Sequence, residues 1–286
     1  MKKLIVPLDF SDLSKSALEM AITFGNKYKS DIQLVHVVNA NDSRFGMTEA
    51  KLKQESEYKL NDIANEYKNK LHDKGNIDFI VKEGRIFEEV AEQAEAFEDS
   101  AVFCSTHGES GWSERFIGSN TYRIIEGTIR PVFSIGQSKM ANPPKTIVMP
   151  IDVTRETREK VSIVASIAKK FGSKVHILKV TTSTSEGIHN TLKMYASQVA
   201  RYFDERNIKY ERSLIVGDNI TDITIEYAKT VEADLIAIMT EQTKSLTNLL
   251  MGSYAHQMVN NSPIPVLSVT PYDLTIQGSS FRTTGG

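Results

Sequence analysis

One cysteine among 286 residues rules out an internal disulfide, so the fold has to be held by burial and hydrogen bonds alone. That residue, Cys104, closes an apolar stretch with no evident base beside it, which fits packing better than a reactive thiol. No apolar run approaches the roughly 20 residues that span a bilayer. Met1-Lys2-Lys3 leads straight into Leu4-Ile5-Val6 and soon meets Asp9, the pattern of a first strand rather than a leader. The expectation is a cytoplasmic protein with no membrane partner. A formal charge of -2 supplies no general field for DNA, so no nucleic-acid partner is expected. Three chemical signatures are missing as well. There is no Gly-x4-Gly-Lys-Ser/Thr loop, no Gly-x-Ser-x-Gly elbow and no Cys/His cluster with metal-ligand spacing.

What is present is a repeat. At 286 residues the chain suits two domains with a core each. Leu4-Ile5-Val6-Pro7-Leu8-Asp9 returns as Ile147-Val148-Met149-Pro150-Ile151-Asp152. Helix-period residues follow, Leu13, Ala17, Ala21 and Phe24 in one half and Val161, Ala165 and Ala168 in the other, ending at Phe24-Gly25 and Phe171-Gly172. Strands follow at Ile32–Val38 and Val175–Val180, then helices over 48–74 and 186–207, and strands entering Glu83-Gly84 and Val216-Gly217. Helices at 86–97 and 219–232 lead to the apolar runs Val102-Phe103-Cys104 and Leu235–Ile238. Each half closes with a Gly-Ser pair, a helix, and a strand behind a proline, Pro131 or Pro265.

Five apolar strands alternating with four helices predict a parallel sheet covered on both faces, so each half reads as a doubly wound, Rossmann-like α/β domain. The domains are placed at 1–138 and 145–272, with 139–144 as linker, where Pro143 and Pro144 deny a continuing helix, and a loose tail at 273–286.

Between an apolar strand and a helix start, Ser105-Thr106-His107-Gly108 is followed after nine residues by Gly118-Ser119-Asn120-Thr121. Such loops leave backbone N–H groups free at the positive end of a helix, where a phosphate can sit without a cationic side chain. With the Pro-x-Asp openings, the His-Val of the second strand and this loop all in register, the chain resembles the universal stress protein family in its tandem form, over residues 2–136 and 145–270.

The resemblance implies the following site. Members with Gly-x2-Gly-x9-Gly and then Ser or Thr hold ATP, adenine near the first two strand ends and phosphates at the loop; members without the glycines bind none. In the first half Ser105 replaces the first glycine, at a cost of about 1 kcal/mol if that position needs positive φ. Thr106, His107, Gly108, Gly118 and Ser119 follow in register. Gly108 and Gly118 would admit phosphate oxygens, Ser119, Asn120 and Thr121 would donate to them, and His107 would touch the phosphate chain. Asp9 would accept from the adenine or ribose end, with backbone contacts from Leu8 and Val37, and Cys104 completes the set where the strand meets the loop. The implied cofactor is ATP, with or without Mg. In the second half Met239-Thr240-Glu241-Gln242 and Gly252-Ser253 keep one of three glycines, and Glu241 would repel a polyanion, with Lys244 the one nearby cation. That domain reads as having kept the fold and lost the nucleotide.

Plainer roles stand beside these. Asp9 and Asp152 sit where they can cap the following helices, His36 and His176 read as satisfied core histidines, and the mixed charges from Lys51 to Lys70 read as a solvated face. Trp112 is either a lid residue or a subunit contact. Three functional readings follow: an ATP-responsive stress protein whose 105–121 loop presents a surface to regulatory partner proteins; an interaction module that needs no nucleotide; or a slow ATPase or adenylyl-transferring enzyme using His107 and Ser119. No catalytic residue or metal ligand is assigned. The family pattern further implies that the two halves pair through their final strands as a pseudo-dimer, and it leaves assembly into a homodimer open.

Overall fold

The computed structural model describes residues 1–38, 48–72, 74–106, 119–136, 143–240, 242–245, 248–251 and 253–271. The linker residues 139–142 and the tail from 272 onward lie outside these. The first repeat comprises β1 (Lys3–Pro7), α1 (Asp12–Tyr28), β2 (Asp31–Val38), α2 (Glu49–Lys68), β3 (Ile77–Glu83), α3 (Ile86–Glu95), β4 (Ser100–Ser105), α4 (Ser119–Gly127) and β5 (Val132–Ile135). The second comprises β6 (Thr146–Ile151), a 3-10 turn (Glu156–Arg158), α5 (Val161–Phe171), β7 (Lys174–Thr181), α6 (Glu186–Asp204), β8 (Tyr210–Val216), α7 (Ile220–Thr230) and β9 (Leu235–Met239). It continues through an antiparallel pair, β10 (Gln242–Ser245) and β11 (Asn248–Met251), to α8 (Ser253–Asn261) and β12 (Val266–Val269). The sequence reading has five strands in this repeat and does not include this pair.

Local chemistry sets most boundaries. Ser11 starts α1 by accepting from the Ser14 N–H, Thr48 does the same for α2 from Lys51, and Asn219 caps α7 through the N–H groups of Thr221 and Asp222. α5 stops where predicted, with Gly172 at φ 69°. α1 does not stop at Gly25. It runs on to Tyr28, and Lys29 takes the left-handed conformation at φ 61°. Gly25 serves packing instead, since a Cβ there would stand 2.9 Å from Leu71 Cδ1. α2 and α6 end earlier than expected, at Lys68 and Asp204, because the chain turns to bury Leu71 and Ile208; Asn207 makes the second turn at φ 54°.

The strands form one sheet in the order β3-β2-β1-β4-β5-β12-β9-β6-β7-β8. Every neighbouring pair is parallel except β5 with β12, which run antiparallel with Phe133 opposite Leu267. Pro131 and Pro265 act alike just ahead of these strands. Their carbonyls accept from Val102 and Ile236, and neither needs an N–H for the ladder.

This pairing corrects the expectation of one core per domain. The sheet is continuous, so the cores are divided by its faces. One holds Leu4, Phe24, Phe103 and Phe133 together with Met149, Phe171, Ile177 and Phe203. The other holds Ile5, Val35, Val102 and Cys104 together with Val148, Leu178, Ile236 and Val266. Phe24 lies 4.8 Å from both Phe133 and Phe171, joining the two repeats on one face. On the other, Tyr122 of α4 stacks on His256 of α8 at 3.9 Å.

Phe24→Ala is expected to cost about 3–5 kcal/mol, and calorimetry should still record a single transition for the whole chain; two separate transitions would mean that the repeats fold independently. Lys29→Gly should raise stability by about 1 kcal/mol by relieving the left-handed residue, seen as a higher denaturation midpoint.

Candidate functional site

The sheet order reverses beside β1, whose neighbours β2 and β4 are reached by connections leaving in opposite directions. In open α/β sheets the crevice at such a reversal, beyond the carboxyl ends of the strands, is where ligands gather. A cleft of about 110 Å³, partly open to solvent, lies there. Eight sequence-predicted residues line it: Leu8, Asp9, Val37, Cys104, Ser105, Thr106, Asn120 and Thr121. Ser119 is the first residue of α4. His107, Gly108 and Gly118 lie outside the described residues, as do Trp112, Glu241 and Gly252.

β1 delivers Leu8 and Asp9 to the cleft. The Leu8 N–H donates to the Val35 carbonyl at 2.8 Å, extending the β1–β2 ladder by one residue. Asp9 Oδ1 accepts from the Ser11 N–H at 3.0 Å and the Ser11 hydroxyl at 2.6 Å, so Asp9 fixes the cap of α1. Between them Phe10 holds φ 69°, an uncommon conformation for an aromatic residue, and rests its ring 4.5 Å from that of His36.

His36 corrects the sequence reading. It is only half-buried, it lines the cleft, and its Nδ1 lies 2.7 Å from the Leu8 carbonyl oxygen. A carbonyl can only accept, so Nδ1 carries the hydrogen of this bond. Strand alternation concealed this. His36 sits among apolar neighbours in β2, and only the end of β1 beside it shows that the ring reaches the crevice.

The opposite wall comes from β4 and α4. The Thr106 N–H donates to the Ile135 carbonyl at 2.8 Å, and the Thr121 hydroxyl donates to the Ser105 carbonyl at 2.9 Å. Thr121 therefore spends its one hydroxyl hydrogen clamping the helix start to the strand end. That differs from the donor-to-phosphate role implied by the resemblance. Ser105 is not among the described residues with positive φ, so the cost reckoned for a serine at the first glycine position does not arise. Cys104 is buried, and that burial pushes its thiol up to about 12, which leaves it a packing group.

The second repeat shares the frame and changes the furniture. Asp152 Oδ1 accepts from the Thr154 N–H at 2.7 Å, as Asp9 does from Ser11, and the Thr240 N–H donates to the Val269 carbonyl as Thr106 does to Ile135. In register, Ala255 replaces Thr121, Tyr254 replaces Asn120, Met239 replaces Ser105 and Lys179 replaces His36. The stretch from Asp152 to Phe171 is four residues longer than its counterpart, and the 3-10 turn occupies the insertion.

That turn brings in a cation the sequence reading missed. Lys160 is 2% exposed, and its Nζ donates to the Thr157 carbonyl at 2.7 Å and the Thr157 hydroxyl at 3.2 Å. Burial lowers its pKa to about 8, against the pull of Asp152. Lys244, the cation named from sequence, has a side chain outside the described set. His176 behaves as expected of a core histidine. Its Nδ1 meets the Tyr227 hydroxyl at 2.9 Å, and burial holds its pKa below the ordinary value.

The universal stress protein family model matches residues 1–135 and again 144–270. The chain belongs to the universal stress protein family. A universal stress protein of Methanocaldococcus jannaschii is 28% identical over 139 residues, 44% of this chain and 81% of that protein. Among solved structures, a universal stress protein from Archaeoglobus fulgidus superposes with a TM-score of 0.77 at 17% identity, covering 94% of this chain and 98% of its own. A functionally unknown protein, PA1789, from Pseudomonas aeruginosa gives 0.70 at 15% identity, with 96% and 95% covered. Both superpositions span the two repeats, so the tandem fold is shared across low identity. Among the described residues no helix is long and apolar enough to cross a membrane, and no group of three or more His, Cys, Asp or Glu is placed to hold a metal.

Lys160 should leave a mark on the pH dependence of this family member. Its folded pKa of about 8 lies below the ordinary 10.5, so the unfolded chain binds more protons between those values. Stability should rise with pH across that window. The penalty is full below pH 8 and gone above 10.5, a span on the order of 3 kcal/mol. Denaturant unfolding of the native protein and of Lys160→Met from pH 7 to 10 measures it. The difference between the two should narrow as pH rises.

Proposed function

We propose that the first repeat of this universal stress protein binds ATP, and that occupancy alters the surface around the 105–121 loop that regulatory partner proteins read. The observation that carries this reading is the meeting of Asp9, His36, Asn120 and Thr121 with an apolar wall of Val35, Val37, Ile86 and Ile124 at the switch point of the sheet. An apolar slot with a few convergent polar groups suits a purine and its ribose. The start of α4, bearing Asn120 and Thr121, supplies the positive end of a helix dipole for the phosphates. The second repeat is read as nucleotide-free. It carries Tyr254 and Met239 where the first has Asn120 and Ser105, and it buries a lysine of its own near Asp152.

Calorimetric titration with ATP and Mg tests the reading on the whole chain. One nucleotide per chain is expected. Asn120→Asp, which sets a carboxylate against the polyanion, should weaken binding about tenfold or more, roughly 1.4 kcal/mol, without changing the melting midpoint, and Gly118→Glu should abolish it. No heat with ATP, or equal affinity in both variants, would favour the interaction module that needs no nucleotide.

A further inference from the structure

The sheet face that carries α1, α2, α5 and α6 is covered unequally at its two ends. At the β3 end, Val81 is buried at 8% exposure, Phe79 packs against the core, and Glu83 pairs with Lys53 of α2 at 3.4 Å. At the β8 end, the register sets Arg212, Leu214 and Val216 beside Ile177, Lys179 and Thr181 of β7, on the side where Val175 and Ile177 enter the core. Leu214 and Val216 are each 41% exposed, and Arg212 is exposed as well. β8 is the last strand of the sheet, so among the described residues no further strand flanks them.

Asp204 stands at the Tyr210 end of this face, but the charges that act on Lys179 are of one sign. Lys179 lies within reach of Arg212 and of Lys193 on α6. Desolvation first, and then repulsion from these two cations, holds the Lys179 pKa below its ordinary value. No ion pair neutralises any of the three among the described residues; the adjacent Glu211 lies on the other face, engaged with Lys174 and His176. In the first repeat the place of Lys179 belongs to His36, which is tied to a backbone carbonyl.

Exposed aliphatic side chains rimmed by unneutralised cations complement a segment that is apolar on one side and anionic along its edge. We propose that the β8–α6 face docks an acidic amphipathic segment of a partner protein, its apolar side on Leu214 and Val216 and its carboxylates on Lys179, Lys193 and Arg212. A second copy of this chain fits poorly, because a two-fold contact would set the three cations against themselves. An anionic bilayer fits poorly too, since polybasic membrane sites gather about four to eight basic residues. The docking does not rest on nucleotide binding.

The test uses the full chain and a fluorescein-labelled dodecapeptide of alternating leucine and glutamate, read by fluorescence anisotropy. Saturable binding is expected, weakening with added salt and indifferent to ATP. Arg212→Glu, Lys193→Glu and Leu214→Ser should each weaken it about tenfold or more, with unchanged melting midpoints because these side chains are exposed. The peptide with glutamine for glutamate should bind about tenfold less tightly. Absence of saturable binding, equal binding by Arg212→Glu and Lys193→Glu, or attachment to phosphatidylserine vesicles without peptide binding would overturn the proposal.

Discussion

The antiparallel contact of β5 with β12 is the constraint on which this molecule is built. Its ladder spans only three residue pairs, too short to stand on hydrogen bonds alone. Packing on either side supports it. Phe24, Phe103, Phe133 and Phe171 close one face of the seam, and the Tyr122–His256 stack closes the other. If the seam opened, Val132, Phe133, Val266 and Leu267 would become apolar sheet edges, the kind that natural proteins keep covered. Joining the repeats buries both edges at once and fuses what would have been two cores into two continuous layers.

A symmetric frame then carries unequal sites. Both repeats hold an aspartate just past their first strand whose carboxylate accepts from the N–H two residues on, and both tie the end of the fourth strand to the last by a threonine N–H. Around these shared points the side chains diverge. The first repeat keeps short polar groups and a cleft; the second substitutes Met239, Tyr254 and Ala255 and buries Lys160 just after a one-turn insertion. A duplicated fold can change in this way at little cost to the sheet, because the altered residues stand at strand ends and helix starts while the ladder residues stay apolar.

Much of the site was legible in sequence because its residues are fixed by local chain geometry. A Pro-x-Asp at a strand end and a Ser-Asn-Thr at a helix start have their positions set by the elements they join. His36 was misread because its reach into the crevice depends on where β1 ends, and Leu8, just past that end, lies 28 residues earlier in the chain. Lys160 was missed because charge alone suggests exposure, and only the 3-10 turn explains its burial. Gly25 looked like a helix stop until Leu71, far along the chain, proved to occupy the space a side chain would need.

By itself, the order of apolar runs, caps and prolines determined the alternation of strands and helices, the duplication and the location of the candidate crevice, since each depends on periodicities and terminators acting within a few residues. The tertiary structure alone decided that the cores divide by sheet face, that Thr121 serves as a clamp, and that the β8 end keeps an uncovered cationic face. These depend on contacts between segments distant in sequence, where the outcome is set by which surfaces can be buried together.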